Sequence, residues 1–327
     1  MPTVPVDPSD PKSVKRRPSS DDLFNVARGF AMGAADTVPG VSGGTIALIL
    51  GHYKRLITAI SHVDGTTLRM VRRGQIRAAA ERLDLRFLIT LLSGILLGVI
   101  LLAGVMHHLL DHHMPMTLAA FFGFLLASVW IVKDAVVSWR WSRWLAMSLG
   151  VAVAIAITLL PQTNAELSAV YLFIAASVAI CAMILPGISG AFILLLFGVY
   201  HPVTGLIKDT AKLNVTTQSL VYLSIFAGGC LFGLLAFSRL LKHLLTHHHD
   251  LTMSALVGLM LGSIGKLYPL QRPTAETASL ESKYRIHQAY WPSEWPDPVW
   301  PLIAIAVFSA VSILIVERQF AGNEEPV

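Results

Sequence analysis

The sequence predicts an all-α integral membrane protein of two inverted repeats, each a re-entrant helical hairpin broken at a Pro-Gly step and followed by three transmembrane helices. Three observations predict it. Of 327 residues, 54% are hydrophobic and 14% charged, and the mean hydropathy is +0.63, too apolar for an ordinary soluble domain. The stretch Val38-Pro39-Gly40-Val41-Ser42-Gly43-Gly44-Thr45 returns as Leu185-Pro186-Gly187-Ile188-Ser189-Gly190-Ala191. Beyond the motif, the run from His107 to His113 corresponds to the run from Lys242 to His248, and Gly94 and Gly98 correspond to Gly229 and Gly233.

Residues 1–21 are rich in Pro, Ser, Asp and Lys, lack the apolar core of a signal peptide, and are expected to form a disordered cytoplasmic tail that is not cleaved. The first repeat covers residues 22–160. Its opening run, residues 23–38, would be about 24 Å long as a helix against a hydrocarbon core of about 30 Å. It also carries Arg28 and Asp36, which makes it poor as a spanning helix. Paired with residues 45–60, it makes a re-entrant hairpin with the Pro-Gly break at its tip. Residues 61–86 form a basic connector, with an amphipathic helix expected on the membrane surface. Spans follow at residues 87–110, 116–132 and 145–160.

The second repeat, residues 161–319, has a hairpin over 169–207 around Pro186-Gly187 and spans near 220–244, 251–267 and 300–316, before a short cytoplasmic tail at 320–327. A hairpin crosses the membrane zero times and three spans cross it an odd number of times, so the second half starts on the opposite face from the first. With the amino terminus inside, 19 of the 25 Lys and Arg residues fall on the cytoplasmic side. Lys208, Lys212, Lys266, Arg272, Lys283 and Arg285 fall outside, an asymmetry that the positive-inside rule expects. The same placement explains the formal charge of +5 without nucleic acid as a partner.

Proline removes an amide donor and glycine accepts torsions closed to other residues, so both apolar runs should break at the motif. Such breaks are tolerated at membrane depth only inside protein or beside a watery cavity, and two in corresponding halves point to a binding site. The arms starting near Val41 and Ile188 would present amides and the Ser42 and Ser189 hydroxyls to an anion. The competing reading is that these small residues serve tight helix packing. Asp36 and Arg28 are charges within the first hairpin; either Asp36 carries a coupling proton or sodium ion while Arg28 meets a phosphate, or the two serve structure.

Other chemistry finds less support. The twelve histidines fall at span ends and read as interfacial rather than as a metal site. Cys181 and Cys230 give neither a disulfide framework nor a metal spacing. No serine has a base at an identifiable catalytic spacing, so neither an enzyme nor a cofactor is expected. The residues alone reach an inverted-repeat transporter or scramblase for an anion. A small-anion transporter or channel is the alternative, with an integral-membrane lipid phosphatase behind it.

The run Gly33-Ala34-Ala35-Asp36-Thr37-Val38-Pro39-Gly40-Val41-Ser42-Gly43-Gly44-Thr45, with Gly51-x-Tyr53, Leu185-Pro186-Gly187-Ile188-Ser189-Gly190 and Gly198-x-Tyr200, resembles the signatures of the bacterial polyprenyl-phosphate transporter family. The resemblance covers residues 22–318. It implies a flippase of the cytoplasmic membrane that returns undecaprenyl phosphate, or a related anionic lipid, from the outer to the inner leaflet for cell-wall carrier recycling. It also implies a site made of Asp36, Pro39, Gly40, Ser42, Gly43, Gly44, Thr45, Pro186, Gly187, Ser189 and Gly190. Lys54 departs from the acidic residue expected there. Coupling ion, chain length and oligomeric state are left open.

Overall fold

A computed structural model of the chain describes residues 20–37, 42–160, 168–211, 216–274 and 287–321. The chain is a mostly helical, multi-pass membrane protein. Five described helices are long and apolar enough to cross a membrane. They are α6 (Leu85–His112), α7 (Met114–Lys133), α8 (Trp141–Leu159), α12 (Thr217–His247) and α13 (His249–Ser263, continued by a 3₁₀ turn to Leu267). A last helix, α14 (Trp300–Ala321), carries a shorter apolar stretch, Trp300–Ile315. These six match the spans read from the sequence to within a few residues at most ends. The long apolar faces look away from protein: on α6, Ile89, Leu92, Leu96, Ile100 and Leu101 are exposed, which suits hydrocarbon and not water.

Each broken hairpin is three helices rather than two. In the first, α1 (Ser20–Asp36) leads to α2 (Gly43–Ile49) and α3 (Tyr53–Ser61); in the second, α9 (Ala169–Ile184) leads to α10 (Gly190–Leu196) and α11 (Tyr200–Ala211). The sequence reading ran residues 45–60 as one arm. Gly51 and Gly198 take positive φ of 75° and 67°, which ends α2 and α10 and turns the chain. At the second of these turns α10 and α11 meet at 115°. The connector is likewise two short helices, α4 (Gly65–Arg72) and α5 (Ile76–Arg82). The segment after α13 adds what an all-α expectation lacked: a two-stranded antiparallel ribbon, β1 (Gln271–Pro273) with β2 (His287–Ala289). Trp295 is buried beneath it, whereas Trp291 is exposed.

Helix pairing follows the same order in both halves. The closest packing joins α1 to α6, α9 to α12, α7 to α14 and α8 to α13. Lipid tails are as apolar as leucine, so these pairs depend on close backbone approach rather than on hydrophobic exclusion. Glycines provide it. A Cβ on Gly29 or Gly33 of α1 would lie 2.1 Å from the Leu91 or Ile95 carbonyl of α6. In return, Cβ atoms on Gly94 and Gly98 would lie 2.1 and 2.4 Å from the Val26 and Phe30 carbonyls. Gly229 and Gly233 of α12 meet α9 in the same way, Gly123 of α7 meets α14, and Gly258 of α13 meets α8.

A larger side chain at Gly33 must therefore separate α1 from α6. Gly33→Val is expected to lower stability by at least ~2 kcal/mol, read as a drop in thermal midpoint in detergent. Gly104, on the same α6 but with no atom near its missing Cβ, gives the contrast: Gly104→Ala should leave the midpoint unchanged or raise it. Equal losses in both variants would refute glycine-mediated contact as the basis of this packing.

Candidate functional site

At the first break α1 ends at Asp36, and Thr37 turns back with its hydroxyl donating to the Ala34 carbonyl at 2.6 Å. Pro39, Gly40 and Val41 lie outside the described residues. The chain is next described at Ser42, the N-cap of α2, whose Oγ accepts from the Gly44 amide at 3.1 Å. The Gly43 amide donates to Asp36 Oδ1 at 2.7 Å. A charge-assisted bond of this kind is roughly twice as strong as a neutral one. Two amides that sequence alone presents as open to a ligand are thus bonded within the protein, one of them to a resident carboxylate. Side chains are excluded here. A Cβ on Gly43 would lie 2.7 Å from the Asp36 carboxylate, and one on Gly44 2.4 Å from the Ile184 carbonyl.

The second break is held by the first hairpin. Pro186 stops the ladder after α9, and Gly187 takes a φ of +86°, a left-handed torsion that glycine adopts without strain. The last carbonyls of α9 then need donors from elsewhere. Ser42 Oγ lies 3.0 Å from the Met183 carbonyl and 3.2 Å from that of Leu185, so one hydroxyl proton is shared between two acceptors. The Tyr53 hydroxyl donates to the Ile184 carbonyl at 3.1 Å. The Gly187 amide donates to Thr45 Oγ1 at 3.1 Å. Ser42, Thr45 and Tyr53 are all buried, so these bonds are shielded from competing water.

The exchange is not reciprocal. Ser189, the counterpart of Ser42, makes no side-chain capping bond, is half-buried, and lines a small cavity with Thr158 of α8, Gly187, Ser263 and Lys266. The Lys266 ammonium sits 2.7 Å from the centre of the Phe192 ring on α10. In the offset that aligns the two motifs, Met183 stands where the first copy has Asp36, and Phe192 where it has Thr45. One break therefore carries a carboxylate of its own, and the other is lined by an ammonium and hydroxyls.

Asp36, Ser42, Gly43, Gly44, Thr45, Pro186 and Gly187 converge at this junction. Gly190 packs back on its own hairpin, where a Cβ would lie 2.8 Å from the Ala179 carbonyl. Arg28 lies eight residues before Asp36 on α1, about 12 Å along the helix, and is half-buried. Two participants were not assigned a role by sequence. Tyr53 was visible as the end of Gly51-x-Tyr53, but its long-range hydroxyl bond was not. Lys266 counted only as one of the outside charges, because a lysine at the end of an apolar span is ordinary. The described residues contain no group of three or more His, Cys, Asp or Glu arranged to hold a metal ion.

Removing donors to the end of α9 should cost stability. Tyr53→Phe and Ser42→Ala each leave a buried carbonyl short of a partner, at about 1–3 kcal/mol apiece. Because the carbonyls are adjacent, the double variant should depart from additivity by at least ~0.5 kcal/mol. Thermal unfolding in detergent measures both quantities; single variants with wild-type midpoints would contradict the docking described.

Comparison with known proteins adds to this geometry. A family model described as undecaprenyl phosphate translocase-like matches residues 32–284. A protein named polyprenyl-phosphate transporter from Vibrio cholerae is 41% identical over 247 residues, which cover 76% of this chain and 78% of that protein. One of the same name from Staphylococcus aureus is 34% identical over 259 residues, covering 75% of this chain and 86% of the relative. No solved structure matches the chain. The family is one of transporters rather than enzymes, and with a match running from the last turn of α1, through both Pro-Gly breaks, past the end of α13, this chain belongs to the undecaprenyl phosphate translocase-like family.

Proposed function

We propose that this chain is a flippase that returns a polyprenyl phosphate, undecaprenyl phosphate in bacteria, from the outer to the inner leaflet of the cytoplasmic membrane. The observation that carries the reading is the similarity to two polyprenyl-phosphate transporters over three quarters of the chain. Two broken hairpins docked end to end, each backed by spans packed in the same order, support it as an inverted-repeat transporter working by alternating access. In this reading both termini are cytoplasmic, and residues 22–160 and 161–319 are the two repeats.

The phosphate is drawn to the second break by the Lys266 side chain and by the Ser189 hydroxyl, which the first hairpin leaves uncommitted; Ser263 and Thr158 donate to the Met260 and Ala154 carbonyls, and the cavity of about 10 Å³ widens as the hairpins part to admit the headgroup. Asp36 is the competing anion of the first break. Protonation removes its charge and weakens its hold on the Gly43 amide, which then becomes available to the phosphate. Loss of the proton to the other compartment restores the internal bond and expels the lipid. A sodium ion held by the carboxylate would serve the same purpose. The prenyl chain stays in hydrocarbon throughout.

Leaflet-resolved detection of undecaprenyl phosphate, in cells with and without the chain, tests the function. Its absence should raise the outer-leaflet pool, and Asp36→Asn should reproduce that rise at normal levels of folded protein. Normal leaflet distribution with Asp36→Asn would remove Asp36 from the coupling step. Unchanged distribution without the chain would remove the lipid as substrate and favour a small anion. Orientation is tested separately: a cysteine at position 271 should react with an impermeant maleimide added outside, and one at position 74 should not. Labelling of position 74 from outside would overturn the arrangement.

A further inference from the structure

A second cavity lies away from the hairpin junction, where the end of α3, the α4–α5 connector and the last turns of α12 meet. Its volume is about 420 Å³, within the roughly 300–1,000 Å³ of small-molecule sites. Arg82, Arg239 and Lys242 line it with His62, His243 and His247, against one carboxylate, Asp64. That carboxylate is already engaged. It caps α4 through the Thr66 and Thr67 amides, and it pairs with Arg82 at 2.8 Å. The Thr67 amide first, and then Arg82, hold its pKa down at about 2, so it remains charged.

Arg239 and Lys242 are not spent in this way. Arg239 donates to the Val63 carbonyl and Lys242 to His62 Nε2 at 2.9 Å, both neutral acceptors, and neither forms an ion pair among the described residues. His62 Nδ1 faces the Arg82 carbonyl at 2.8 Å, which places the ring proton there and leaves Nε2 to accept. Two guanidinium or ammonium charges thus converge on one open space without a carboxylate to neutralise them. The carbonyl ends of α3 and α12 oppose an anion here, but dipole effects of that kind are weaker than direct bonds to charged donors.

The position fits a lipid headgroup. The 31 residues of α12 make about 46 Å of helix against a hydrocarbon core of about 30 Å, so its last turns, which carry these cations, stand at headgroup level. Beside the cavity, Val63, Leu68, Val71 and Ile76 of the connector are exposed, interleaved with Arg69, Arg72, Arg73 and Arg77. That pattern lays the connector on a membrane surface. We infer that this cavity is a second binding site, taking a phosphate monoester dianion at the membrane face, as the headgroup of a lipid or as free phosphate. Its biological ligand rests on the proposed transport of a lipid phosphate; the binding itself does not.

The test is calorimetric titration of the full-length protein in detergent with farnesyl monophosphate and, separately, with inorganic phosphate. Thr246 lines the cavity, and its hydroxyl bonds only the Lys242 carbonyl of its own helix, so substitution there breaks no contact between helices. Thr246→Glu should weaken farnesyl monophosphate about tenfold or more, and Thr246→Lys should tighten it. Inorganic phosphate that binds equally well, with the same response, keeps the site and makes the free anion its ligand. Unchanged affinity of both probes in both variants overturns the inference. Should Ser189→Asp abolish binding while the Thr246 variants do not alter it, the hairpin junction is the one phosphate site; the inference then fails and the proposed function stands. Binding that responds at Thr246, in a chain that moves no lipid between leaflets, keeps the cavity and refutes the transport reading instead.

Discussion

A helix cut inside an apolar medium leaves backbone carbonyls and amides that water cannot reach, and the junction of the two hairpins is built around satisfying them. The first hairpin supplies Ser42 and Tyr53 as donors to the end of α9, and Thr45 as an acceptor for the Gly187 amide. The two breaks therefore cannot be treated as independent. Any motion that parts the hairpins exposes the Met183, Ile184 and Leu185 carbonyls. A ligand or an altered backbone would have to compensate for that loss, and in the transport reading proposed above this would link binding at this point to a change of conformation.

The sequence motif is nearly symmetric, whereas the chemistry built from it is not. Replacing Asp36 by Met183 and Thr45 by Phe192 in the second copy removes an acid and a hydroxyl, and Lys266 then approaches from α13. The first break becomes an amide pair held by its own carboxylate and serine; the second becomes a cationic, hydroxyl-lined cavity. In the transport reading proposed above, a phosphate would meet repulsion at the first and attraction at the second until Asp36 loses its charge. On that reading the asymmetry would give the transporter two states to alternate between, and it is invisible if the copies are read only for what they share.

Most of the architecture was legible because the signals were local. Apolar runs long enough to span fix α6, α7, α8, α12 and α13, and repeated glycines mark the faces along which they pack. The breaks at Gly51 and Gly198 were harder, since each is a single positive φ inside an apolar run. The ribbon of β1 and β2 has no alternating pattern long enough to announce it. At the site, repetition drew attention to Ser42, Gly43, Pro186 and Gly187, whereas Asp36 entered as a charge within the hairpin and, with Gly44 and Thr45, through the family resemblance, since the second copy has Met183, Ala191 and Phe192 in their places. Sequence missed Tyr53 and Lys266 because their roles depend on partners 131 residues away in one case and on another helix in the other. It also cast the amides as open, since nothing in the motif shows that Asp36 folds back on Gly43.

The most direct test of this asymmetry is photo-crosslinking with a prenyl monophosphate that carries a diazirine beside its phosphate, the adducts being mapped by mass spectrometry. The account predicts adducts at residues 187–192 and 263–266 in the wild-type chain, alongside any at the α3–α12 cavity, and few at residues 42–45. It further predicts that Asp36→Asn adds residues 42–45 to the labelled set and that Lys266→Met depletes the others. Labelling of the wild-type chain at residues 42–45 in preference to 187–192, unaltered by Asp36→Asn, would contradict it.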